Sequence, residues 1–230
     1  MGDGKFYFKQ FALYNQQSPH KVGTDGVLLG CWAGLGAQPK RIIDVGAGTG
    51  LIGMMLAQRF PHAQIYLLEK EPSALEECSQ SLKAFPWKER ITLVDADVLH
   101  WQAPFAFDLV VSNPPYFLQS LPSLEKGRRL ARHTEASSFN AWMTRLQEWL
   151  TPQGRLSLVL PLSLEAPRFA LPLIRKCLVQ DSPHRVAKRQ LLEYCMEDAL
   201  IKEEQITLKE QDGKWSASYL QWVAPFLPLK

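Results

Sequence analysis

No stretch of this sequence stays apolar for the roughly 18–20 residues that crossing a bilayer requires, so a membrane-spanning segment is not expected. Cysteine is scarce. The four present, Cys31, Cys78, Cys177 and Cys195, stand far apart, with no C-x-x-C pair and no histidine at ligand spacing. That argues against a metal site or a disulfide framework and for reduced core thiols in a cytoplasmic protein. Neither sign of charge dominates: 26 Lys and Arg against 23 Asp and Glu give a net charge of +3, which permits a polyanionic partner without demanding one. Repeats and low-complexity tracts are missing, and no linker divides the chain. The first thirty residues lack a basic-then-apolar leader, and Phe6 stands where a myristoylation signal carries Ser or Thr. The expectation is one domain over residues 1–230, with no membrane, metal or obligate protein partner.

What is present is enough apolar material for one sizeable core, 46% of 230 residues. Short apolar runs alternate with helical patterns, which is the signature of a mostly parallel sheet. Strands are expected at Arg41–Gly46, Gln64–Glu69, Ile91–Asp97, Phe107–Ser112 and Arg155–Leu160. Helices are expected at Val27–Ala33, capped by Thr24 or Asp25, at Leu51–Arg59, from Pro72, at Ser137–Leu150 and at Phe169–Cys177. From Leu178 the pattern reads as consecutive strands: 178–186, Gln190–Met196, Gln205–Lys209, and a turn at 211–214 leading into Trp215–Trp222. Residues 1–22 interleave Lys5, Lys9 and Lys21 with aromatics, which suits nucleic-acid contact or an edge segment laid over the core. Residues 117–135 form a long basic loop with Lys126, Arg128, Arg129 and Arg132, either a functional loop or a solvated charge run. Arg185, Lys188 and Arg189 form a second basic cluster that would add to an RNA footprint or protect a sheet edge.

Chemistry concentrates at strand ends. Asp44 precedes Gly46, Gly48 and Gly50, whose spacing allows a tight turn and close backbone approach to a ligand. G-x-G-x-G is not the dinucleotide fingerprint, and a carboxylate beside it would repel the pyrophosphate that an oxidoreductase must hold. Asp44 suits a cation, and S-adenosyl-L-methionine carries a sulfonium and an ammonium. Glu69 ends the next strand about 20 residues on, where such folds place the acceptor for ribose hydroxyls. After the fourth strand come Asn113-Pro114-Pro115-Tyr116. Two prolines hold this corner stiffly at the sheet edge. An amide oxygen and a proline carbonyl there can accept both hydrogens of a planar NH₂ group, with Tyr116 supporting the ring by stacking. Hydrogen bonds from both N–H groups pull such a nitrogen toward tetrahedral geometry and sharpen its lone pair.

These motifs resemble the Asn-Pro-Pro-Tyr class of Rossmann-like, S-adenosylmethionine-dependent methyltransferases, which methylate adenine N6, cytosine N4 or glutamine amides. The resemblance covers nearly the whole chain. It implies a seven-stranded, mostly parallel sheet with helices on both faces and antiparallel C-terminal strands. It carries cofactor binding onto Thr24, Asp44, Gly46, Gly48, Gly50, Glu69, Asp97 and Asn113, with Asp97 accepting from the adenine amino group and Asp95 its nearest competitor. Catalysis falls to Asn113, Pro114 and Tyr116. Phe11–Tyr14, the run 16–26, Arg189–Glu193 and the ending around Gly213 and Tyr219 are similar to the bacterial family that methylates N6 of adenine 37 in valine tRNA. That family implies tRNA, at its anticodon stem-loop, as partner, with Lys5, Lys9, Lys126, Arg128, Arg129 and Arg132 as contacts. Other readings are a protein glutamine-amide N5-methyltransferase, another RNA or DNA adenine-N6 enzyme, and a catalytically silent RNA-binding module.

Overall fold

The computed structural model describes residues 4–18, 21–114, 139–196 and 200–228. An N-terminal ribbon pairs β1 (Lys5–Tyr7) with β2 (Ala12–Tyr14). The chain then runs α1 (Thr24–Trp32), β3 (Arg41–Val45), α2 (Leu51–Arg59), β4 (Gln64–Glu69), α3 (Pro72–Lys83), β5 (Ile91–Asp95) and β6 (Phe107–Ser112). After the undescribed stretch come α4 (residues 139–148) and β7 (Leu150–Pro161). β8 (Leu173–Gln180), β9 (Arg189–Tyr194), β10 (Lys202–Thr207) and α5 (Ala217–Val223) complete it.

Eight strands make the large sheet, in the order β10-β8-β9-β7-β6-β3-β4-β5. β9 runs antiparallel to both neighbours, and every other pairing is parallel. The architecture is the expected mixed α/β one, except that β10 adds an eighth strand at the β8 edge. In addition, of the C-terminal strands, β9 alone is antiparallel, while β8 and β10 run with the rest of the sheet. Successive residues of a strand face opposite sides, so Ile42, Leu67 and Leu109 join one core while Ile43, Leu68 and Val110 join the other. α1, α2 and α5 cover the first side; Trp142, Met143 and Leu146 of α4 cover the second. α1 lies close along α2 because Gly26 and Gly30 carry no side chain. A Cβ at either would stand 2.7 Å from Leu51 or Met55.

Three sequence expectations need correcting. Residues 169–177 are not a helix, and the next strand does not start at 178: β8 runs Leu173–Gln180. Pro172 breaks a helix there. The strand's alternation, Arg175-x-Cys177-x-Val179, was disguised by an arginine at a buried position. Asp181-Ser-Pro183 then turns the chain. Trp215–Trp222 is likewise not a strand. Only Lys209 and Trp215 bridge across the turn, and Ser216 caps α5 by accepting from the Tyr219 N–H at 3.1 Å. Finally, the N-cap of α1 is Gly23, with no side-chain cap; Thr24 is the first helical residue, and Asp25 pairs instead with Arg189 at 2.9 Å.

The ribbon is fastened to α3 by one carboxylate. Buried Glu77 accepts the backbone N–H groups of Gln16, Gln17 (2.7 Å) and Ser18 (3.0 Å), while Ser81 Oγ accepts from Tyr14 N–H at 2.9 Å. Burial alone would raise the Glu77 carboxyl; the donors from residues 16–18 outweigh it and hold it below the usual range. A carboxyl lowered by folding contributes stability above its unfolded value near 4.3, lost as pH falls through the lower folded value. Glu77→Ala should cost about 3 kcal/mol and expose residues 4–18 to limited proteolysis. An unchanged cleavage pattern would show that the clamp does not hold the segment.

Candidate active site

Strand order reverses between β3 and β6. From β3 the chain runs outward to β4 and β5, then returns on the other side as β6. Open α/β sheets bind ligands in the crevice at such a point, beyond the carboxyl ends of the strands. Here the two flanking strands end level, with Val45 opposite Ser112, and Ser112 Oγ donates to the Val45 carbonyl at 2.7 Å. Gly46 and Asn113 are thus the first residues off adjacent strands, about 5 Å apart.

The glycine turn follows. Gly46, Gly48 and Gly50 have φ of 71°, 56° and 87°, the left-handed region where a Cβ is strained. A Cβ at Gly46 would stand 3.2 Å from the Trp142 ring, whereas one at Gly48 would meet nothing within 4 Å among the described residues. Among the described residues the turn is closed beneath and open at Gly48. Asp44, at the end of β3, is fully buried. Its Oδ2 accepts the Gly53 N–H at 2.8 Å, and its Oδ1 is buried without a hydrogen-bond partner among the described residues. Burial pushes this carboxyl up to about 7, opposed by the Gly53 N–H and reinforced by the Glu69 charge. Gly53 was missed in the sequence. A Cβ there would lie 2.1 Å from Leu67 Cδ2, so only glycine lets α2 reach Asp44. Its signal was a glycine inside a helix three residues past the turn.

Glu69 joins the turn to β4. Its Oε2 accepts the Gly48 N–H at 2.8 Å, and its Oε1 accepts from Lys70 (2.8 Å) and Glu71 (2.9 Å). A carboxylate offers about four acceptor sites, so these three bonds leave room for a further donor. Asp97, just past β5, accepts from Lys70 Nζ and the Leu99 N–H, both at 2.9 Å; the Lys70 bond is the main reason its carboxyl lies below the usual range. Asp95 is exposed opposite Glu69 at the end of β5. Lys70 is the second residue the sequence did not single out.

The other candidates are more scattered. Thr24 lines a cavity of about 400 Å³ beside Phe6, Val27, Trp215 and Tyr219. Lys5 lies 4.7 Å from the centroid of the Tyr14 ring, and Lys9 Nζ donates to the Ala224 carbonyl past the end of α5 at 2.5 Å. Asn113 and Pro114 stand at the sheet edge as expected. Tyr116, Lys126, Arg128, Arg129 and Arg132 lie outside the described residues. Among the described residues, no group of three or more His, Cys, Asp or Glu is placed to hold a metal ion, and no helix is long and apolar enough to cross a membrane.

The methyltransferase small domain family matches residues 27–181. A relative from Porphyromonas gingivalis, named tRNA1(Val) (adenine(37)-N6)-methyltransferase, is 37% identical over 96% of this chain and 94% of its own. One of the same name from Glaesserella parasuis is 37% identical over 96% of each. The chain belongs to this tRNA1(Val) (adenine(37)-N6)-methyltransferase family. The fold agrees with that membership: a predicted O-methyltransferase from Agrobacterium tumefaciens superposes with a TM-score of 0.68 at 22% identity, covering 88% of this chain and 96% of that one. In this methyltransferase the crevice between β3 and β6 is the place where the fold brings chemistry-bearing residues from distant stretches together. Gly53→Ala should cost about 1–3 kcal/mol through overpacking against the buried Leu67 and withdraw the Asp44 donor. A denaturation midpoint equal to that of the parent would contradict this packing.

Proposed function

We propose that the protein transfers the methyl group of S-adenosyl-L-methionine to N6 of adenine 37 in tRNA1(Val). The observation that carries the reading is the placement of Asn113 and Pro114 beside the glycine turn across one strand spacing, above a buried carboxylate to which no described residue brings a cation. The residues present suit the cofactor. Among the described residues, Asp44 has a buried oxygen with no partner to offer a positive charge, and the turn is open over Gly48. Asp44, Gly46, Gly48 and Gly50 would hold its methionine part, Glu69 its ribose and Asp97 its adenine, with Thr24 and Asn113 at the margins. When bound, the cofactor supplies a methyl carbon made electrophilic by the attached sulfonium.

The chain's own contribution is at the acceptor nitrogen. Asn113 Oδ1 and the Pro114 carbonyl would take the two N–H bonds of the adenine amino group, with Tyr116 beneath the ring. No base is needed beforehand, because the proton leaves after methylation from a strongly acidic ammonium. The relatives' names support tRNA as the partner and position 37, beside the anticodon, as the target. Lys5, Lys9, Lys126, Arg128, Arg129 and Arg132 are the proposed RNA contacts, one domain spans the chain, and the cytoplasm is where such a substrate is met.

Incubation with methyl-labelled cofactor and bacterial tRNA should yield N6-methyladenosine at position 37 by nucleoside mapping; label on a glutamine amide or on no substrate would overturn the reading. Asn113→Ala should lower kcat by about 10²-fold or more, a larger effect than its change in cofactor affinity. Cofactor binding should also depend on pH. Because the Asp44 carboxyl is raised to about 7, a cationic ligand that needs it ionised should bind more tightly as pH rises from about 6 to 8. Calorimetric titration should show that slope in the parent and not in Asp44→Asn.

A further inference from the structure

The carboxyl edge of the sheet continues well past the crevice. β7, β8 and β10 run parallel to β6, so Pro161, Gln180 and Thr207 end on the same edge as Asn113, and antiparallel β9 begins there at Arg189. At about 4.8 Å per strand, the end of β10 lies about 19 Å along the edge from Asn113. That is the length of several stacked nucleotides at about 3.4 Å each.

Trp215 stands at this far end, 45% exposed. It is well supported, because its ring stacks on the buried Tyr219 with centroids 4.5 Å apart and planes 29° from parallel. The exposed Lys209 holds its ammonium 5.0 Å from the Trp215 centroid. Between this ring and the start of α1 runs the cavity of about 400 Å³ that Thr24, Val27 and Phe6 help to line. α1 and α2 run side by side in the same direction, so the start of α1 lies at the glycine-turn end of the molecule. The charges along the edge are partly cancelled. Asp181 is taken by Lys188 and Arg189, and Asp25 by Arg189. Among the described residues, Arg185 and Lys209 have no carboxylate in ion-pair reach. A supported aromatic face beside uncompensated cations is what single-stranded nucleic acid binds, by base stacking and phosphate contact.

We propose that this ledge holds the RNA strand flanking the target adenine, with Trp215 stacking an unpaired base of the substrate and Lys209 moving from the ring to a phosphate. The proposal rests on the adenine-methylation reading above and assigns the surface that would grip the substrate away from the reacting base. No bond changes; the step is an exchange of a cation for a base on one ring.

The full chain, with Trp215→Ala, Trp215→Phe and Lys209→Gln variants, tests it by filter binding to tRNA and by steady-state methylation. Trp215→Ala should weaken tRNA binding and raise KM for tRNA about tenfold, the scale of one lost base–aromatic stack. Its kcat and cofactor affinity should stay within about twofold. Trp215→Phe keeps a ring on Tyr219 and should recover most of the loss. Lys209→Gln should reduce the slope of log affinity against log salt by about one. Equal tRNA binding by parent and Trp215→Ala overturns the ledge, as does a loss in Trp215→Ala that falls on cofactor binding and melting temperature alike. Parent enzyme that leaves tRNA unmethylated refutes the function instead, while the binding comparison still judges the ledge. An RNA-independent protein partner on this face, with tRNA affinity unaltered, also counts against it.

Discussion

The level ending of β3 and β6 is the constraint on which the site depends. Their parallel register places Val45 against Ser112, and the Ser112 hydroxyl donating to the Val45 carbonyl closes the pair at its last step. A shift of one residue would turn every side chain of β6 to the opposite face, sending Val110 and Val111 into the wrong cores. Hydrophobic burial on both faces therefore fixes the register, and the register fixes how far Asn113 stands from Gly46. The chemistry at the sheet edge inherits its precision from apolar packing below it. Trp142 adds a second restraint, since its ring lies where a side chain at Gly46 would have to go.

How much of this was legible in the sequence depends on how local the cause is. The bounds of β4, β6 and α2 fall where the sequence places them, because each is an apolar run ended by its own chemistry: a carboxylate, a proline corner, a glycine turn. That Asp44, Glu69 and Asn113 stand at strand ends was readable for the same reason, since each is a polar residue closing such a run. β8 was not, because the alternation that marks it includes Arg175, and an inward arginine makes sense only once its partners are known. Those are Glu193 at 3.3 Å, Glu204 at 3.3 Å and the Trp32 ring at 4.2 Å, none of them near it in sequence. α5 was missed because Ser216 and Gly213 serve turn and cap equally well, and only the packing of Tyr219 and Val223 on α1 and the core decides between helix and hairpin. Gly53 belongs with these, since the need for it lies in Leu67 and Asp44.

Two buried acids meet the same physics in different surroundings. Glu193 is fully buried in β9 and fully engaged. Its Oε2 accepts from the Gly34 N–H at 2.7 Å and Ser157 Oγ at 2.8 Å, and its Oε1 faces Arg175 at 3.3 Å and Arg155 at 3.4 Å. Such a cluster contributes little net stability over an apolar core of the same shape, yet losing one member leaves an uncompensated buried charge. It pins antiparallel β9 between two strands that run the other way. Asp44 is buried as deeply and, among the described residues, has one hydrogen bond and no cation. A carboxyl in that state is costly to ionise, which is why burial pushes it up to about 7. The fold bears that cost at the mouth of the crevice, where the strand order reverses. A core designed only for stability would place an apolar residue or a second arginine there, as it does around Glu193. The end of β3 thus holds a buried carboxylate to which no described residue brings a positive charge, which is the reason it is proposed above to face a cationic ligand.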